Sequence, residues 1–85
     1  MHPDLKHFYE KVIDLTVRPS TSADQAYTNS YKHMLDTHPN CEELLDSFAE
    51  LAVELYSNSD GPAGQAIAEE MNKIERELDS NRVPF

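Results

Sequence analysis

The chain has 85 residues, a net charge of -9 and one cysteine, which sizes it for a single domain near the lower limit at which one hydrophobic core holds without cross-links. Cys41 has no internal partner, so a disulfide-stapled scaffold is excluded and a reducing, cytoplasmic setting is the expectation. An acidic field repels nucleic-acid phosphates and anionic lipid, and no run approaches the roughly 18 apolar residues of a membrane span, so neither direct nucleic-acid binding nor membrane insertion is expected.

The N-terminal MHPDLKHFYEK lacks the basic region and continuous apolar stretch of a signal peptide. Pro3 and Asp4 suit the first turn of a helix, where the missing proline N–H costs nothing and a carboxylate meets the positive end of the helix dipole. Leu5, Phe8, Tyr9, Val12, Ile13, Thr16 and Val17 then share one face, which predicts a helix over 3–17. Arg18-Pro19 ends it, because the residue before proline is driven out of the α region. Ser20-Thr21-Ser22 forms a turn in which Ser22 and Gln25 have capping-box spacing, so the second helix is expected over 23–37. Its inward face, including Ala23, Ala26, Tyr27, Ser30, Tyr31, Met34 and Leu35, is more polar than the others, and the two tyrosines are read as core residues with hydroxyls at the rim.

His38-Pro39 breaks the chain, and Asn40 is the expected N-cap of a third helix over 41–57, with Glu43 at the capping-box position. A connection this short predicts the second and third helices as an antiparallel hairpin. The third helix, CEELLDSFAELAVELY, is the most strongly patterned part of the chain. Cys41, Leu44, Leu45, Phe48, Ala49, Leu51, Ala52, Leu55 and Tyr56 fall in an arc of about 160°, with Glu43, Asp46, Glu50 and Glu54 opposite. After the break at residues 57–61, Pro62 opens a fourth helix over 62–80, whose residues Ala63, Ile67, Met71, Ile74 and Leu78 form a narrow apolar seam. The fold class is therefore all-α, an antiparallel bundle of four helices in one domain over 1–80, followed by a short tail over 81–85.

The charge is unevenly placed: residues 1–40 carry four Lys or Arg against five Asp or Glu, and residues 41–85 carry three against eleven. Such a surface favours a basic protein partner. Chemistry has few footholds. His33, Asp36, His38 and Cys41 lie within nine residues, but His33 is placed outward, Cys41 inward and a turn intervenes, so no metal site is expected. There is no Glu-x-x-His pair for a di-iron bundle, no HExxH or nucleophile elbow, and the two glycines form no phosphate cradle. A non-enzyme without metal or cofactor is expected. The candidate protein-binding residues are Glu43, Asp46, Glu50 and Glu54 on the third helix, and Ile74, Leu78, Arg82 and Phe85 at the C-terminal end. The seam through Ile74 and Leu78 could instead seal a homodimer.

The order of these features resembles the small helical immunity proteins of bacteriocin producers, the enterocin A and pediocin-type group. The resemblance rests on LKHFYEKVIDL ending at Arg18-Pro19, the Ser-rich restart, the turn at His38-Pro39, CEELLDSFAELAVELY, and a final helix after a Ser/Asp/Pro break. It implies a cytoplasmic antiparallel four-helix bundle that binds a receptor protein, with residues 67–85 as the recognition end. The acidity is closer to the colicin-type nuclease immunity proteins, whose Tyr-Tyr-Pro contact motif is absent here. A second expectation of a different class is an antitoxin-like regulator or DNA mimic that occupies the basic nucleic-acid site of its target.

Overall fold

The computed structural model describes residues 1–58 and 61–83, and its helices are α1 Pro3–Val17, α2 Thr21–Thr37, α3 Glu42–Ser57 and α4 Pro62–Ser80, with no strand among the described residues. The architecture is the expected all-α helical bundle. No helix of the described residues is long and apolar enough to cross a membrane.

Helix α1 starts as its sequence requires, with Pro3 in the first turn, and His2 at the cap position lies 2.7 Å from the Asp4 carboxylate, to which its Nδ1 donates. Helix α2 begins two residues earlier than expected, because Ser20 rather than Ser22 caps it, with Oγ accepting from the Ala23 N–H at 3.0 Å. Three hydroxyls in a row are chemically equivalent caps, and the one that follows Pro19 directly gives the shortest link from α1. At the start of α3 the expected cap is also displaced. Asn40 adopts φ 64°, a left-handed conformation that asparagine tolerates better than most residues, and it turns the chain instead of capping it. Cys41 takes the cap position without a side-chain bond to the helix N–H groups, its thiol donating to the Pro39 carbonyl instead, and Glu42 and Glu43 offset the exposed N–H groups of the first turn.

The packing order differs from the expected hairpin of α2 with α3. Helix α1 lies along α2, α4 lies along α3, and α1 crosses α3, while α2 approaches α3 only slightly. The reason is the Phe8 side chain on α1, which fills the space that α2 and α3 would otherwise close between them. Its ring stacks on Tyr27 at 5.7 Å and meets Tyr31 and Phe48, each at 6.2 Å, while Tyr9 adds an edge contact to Phe48 at 6.3 Å. Around this aromatic centre lie Leu5, Val12, Met34, Cys41, Leu45, Ala52, Met71 and Leu78, all buried.

The core is concentrated toward one end of the molecule. On α2 the buried residues are Ser30, Met34 and Thr37, all in its C-terminal half, and His38 follows them into the core. His38 Nδ1 lies 3.0 Å from the Met34 carbonyl and 2.8 Å from Thr37 Oγ1. A carbonyl only accepts, so Nδ1 carries the proton and Nε2 is left as a bare buried acceptor. At this same end the tail is tied down. The Val83 N–H donates to the Thr37 carbonyl at 2.7 Å, and Arg82 makes a two-pronged contact with Asp4, Nε to Oδ2 at 3.2 Å and a terminal nitrogen to Oδ1 at 2.8 Å. Its other terminal nitrogen reaches Asp79 at 2.6 Å. Residues 81–83 thus join the start of α1 to the ends of α2 and α4.

This clasp makes stability depend on acid. Burial pushes the Asp4 carboxyl upward, but hydrogen bonds and charge from Arg82, with a lesser share from His2, outweigh it and hold Asp4 below the ordinary 3.8. A depressed carboxyl stabilises the fold above its unfolded value and ceases to do so as the pH falls through the folded one. Wild type is expected to exceed Asp4→Asn by about 1 kcal/mol at pH 6. In denaturant titrations the difference should vanish as the pH falls below 3.8 and through the lower folded value.

Candidate functional site

At the end opposite the clasp the two helix hairpins part. The last turn of α1, the first half of α2 and the last turn of α3 contribute no buried residue, and Val17 and Tyr56 are 45% and 50% exposed. Between them opens a groove of about 280 Å³ lined by Val12, Leu15 and Thr16 of α1, Tyr27 of α2, and Ala49, Glu50 and Val53 of α3. Glu50 is the one charged side chain among these lining residues.

The geometry of α3 explains why apolar groove and acidic ridge adjoin. At 100° per residue, Ala49, Val53 and Tyr56 occupy a strip about 60° wide, and Asp46, Glu50, Glu43 and Glu54 occupy the next 80° or so. The buried face, Cys41, Leu45, Phe48 and Ala52, lies on the other side of the apolar strip. Tyr56, assigned to the inward arc by pattern alone, is half exposed, while Leu55 in the same turn packs against the core.

Glu43, Asp46, Glu50 and Glu54 are all exposed, and among the described residues none is paired with a basic side chain. Asp46 nevertheless has a structural task. Its Oδ1 accepts from the Tyr31 hydroxyl at 3.0 Å, which is the polar link between α2 and α3 across the aromatic centre. Both tyrosines are half-buried with rings against Phe8, in keeping with a core role.

The C-terminal candidates are placed differently. Leu78 is 0% exposed and belongs to the core, so the conformation leaves it no contact surface and interrupts the proposed seam for a homodimer. Ile74 is half-buried against the same core. Arg82 is engaged by Asp4 and Asp79 and is therefore a structural clasp before it is a recognition residue. Phe85 lies outside the described residues. Cys41 is buried, and burial together with the Glu77 charge pushes its thiol upward, away from the thiolate that nucleophilic or metal chemistry requires.

The groove itself was not visible in the residue pattern. Ala49 read as an ordinary member of the apolar arc and Val53 lies just outside it, and in the structure both line the groove. The signal available in the sequence was the width of that arc, which exceeds what one packing partner covers. No known protein family matches the sequence, and no characterised protein or solved structure is significantly similar to it.

The Tyr31–Asp46 contact gives a direct readout of the site. Burial first, and then the Asp46 hydrogen bond and charge, push the Tyr31 phenol up to about 12. Burial and the Asp46 charge also raise Tyr27. A raised acid stabilises the folded form below its unfolded value and loses that contribution as the pH climbs through the folded one. Ultraviolet titration of the tyrosines is expected to show Tyr31 ionising near pH 12 in wild type and earlier in Asp46→Ala. A Tyr31 midpoint unchanged by that substitution would show that Asp46 does not hold the hydroxyl.

Proposed function

We propose that this chain is a small non-enzymatic protein of the immunity or inhibitor type, which works in the cytoplasm by binding a basic surface of a target protein. The observation that supports this reading is the row of exposed, unpaired carboxylates on α3. Like charges at i,i+4 destabilise a helix by a few tenths of a kcal/mol per pair, and among the described residues no cation is paired with them. A partner that brings Lys or Arg side chains to the ridge would remove that repulsion. Such association is rapid and sensitive to salt.

Because Asp46 also holds Tyr31 and Glu43 faces the first-turn N–H groups of α3, the informative variant reverses Glu50 and Glu54 to lysine and leaves Glu43 and Asp46 in place. That variant is expected to fold with stability within about 0.5 kcal/mol of wild type. In affinity capture from the host extract, it should lose a protein that wild type retains, and wild type should release that protein as salt rises to about 0.5 M. Capture of the same protein by both baits would rule out the ridge. A captured partner that is itself a nucleic-acid-binding protein, displaced by its own nucleic acid, would place this chain with the DNA mimics.

A further inference from the structure

We infer that the groove between α1 and α3 receives an amphipathic basic helix of the partner, with an apolar side chain seated on Leu15, Tyr27, Ala49 and Val53 and Lys or Arg residues laid along the α3 ridge. The inference rests on the protein-binding reading above and specifies the element that is bound. Two helices that diverge leave the type of depression into which a third helix packs, ridge into groove. Charge complementarity selects the occupant. The wall on the α3 side is bordered by Asp46 and Glu54, one turn before and one turn after Glu50, and Glu50 reaches the groove itself.

The spacing sharpens the chemistry. From Glu43 to Glu54 the ridge spans about 16 Å of helix rise, with carboxylates one turn apart. A helix lying beside α3 presents its own side chains at the same interval, so cations at i, i+4 and i+8 meet the ridge while apolar residues on the adjoining strip enter the groove. A second copy of this chain is a poorer occupant. Its net charge of -9 sets like against like, and its described helices carry no face of clustered Lys or Arg. The comparable depression on the far side of α3, lined by Tyr9, Leu55 and Met71, is bordered by the Met1 amine paired with Glu75 at 3.4 Å. The α1–α3 groove has no such bridge among the described residues.

The probes are a synthetic helical peptide of Leu and Lys patterned on one face, and a scrambled peptide of identical composition. Nuclear magnetic resonance titration of the intact chain should place the patterned peptide on Leu15, Tyr27, Ala49 and Val53, binding about tenfold more tightly than the scrambled one. Val53→Asn should weaken the patterned peptide by about tenfold. Ala49→Leu, which fills the groove without adding a polar group, should weaken it comparably and keeps the test decisive if Val53→Asn unfolds. Equal binding of both peptides, unaffected by either variant, would overturn the groove and leave the acidic-ridge reading standing. Binding of neither peptide would also overturn it, and the host-extract capture with the ridge variant would then decide the broader reading alone. Sedimentation showing a dimer that Ala49→Leu dissociates would assign the groove to self-association and overturn the inference as well.

Discussion

The position of the Phe8 ring is the constraint on which the rest of the structure depends. It meets Tyr27, Tyr31 and Phe48 within one layer, so a single side chain of α1 touches both α2 and α3. A ring in that place prevents α2 from closing directly on α3 and makes α1 the element through which the two hairpins communicate. Large aromatic side chains bury more area than any other residue and prefer offset or tilted neighbours. The cluster therefore specifies both strength and angle at the crossing.

One end of the crossing is tied by the tail, and the other end is closed mainly where α4 packs on α3. Toward the chain termini, Leu5, Met34, His38, Cys41, Leu45 and Leu78 are buried together, and Arg82 and Val83 fasten the tail across three helices. Away from them, α1 and α3 run past their last buried residues, Val12 and Ala52, into turns where Ile13, Val53 and Leu55 still pack against the core and Val17 and Tyr56 are exposed. The groove is the consequence of a core too small to fill the full length of its helices, as expected for a chain of 85 residues. The acidic ridge then borders that groove because both are carried by α3, a fraction of a turn apart.

Local structure was largely legible from residue order. Proline at the starts of α1 and α4, the Arg18-Pro19 stop and the periodicity of α3 set helix limits within one or two residues of those observed, because each is a short-range steric or hydrogen-bonding effect. What depended on tertiary choice was less legible. Ser20, Thr21 and Ser22 compete as caps with equal chemistry, and Asn40 could cap a helix or turn the chain. The pairing of α1 with α2 and of α3 with α4 could not be read from loop length, since all three connections are short. Leu78 looked like an outward seam residue for a similar reason. A narrow stripe fits a partner helix of the same chain as well as one from another molecule, and α3 supplied the former.

The bundle is held at the Phe8 crossing and not at the far ends of α1 and α3. Denaturant unfolding of Phe8→Ala beside Val17→Ala tests this most directly. Phe8→Ala should cost about 3–5 kcal/mol, and Val17→Ala, at the exposed end of α1, less than about 0.5 kcal/mol. A Phe8→Ala cost within about 1 kcal/mol of wild type, or equal costs at the two positions, would contradict the account.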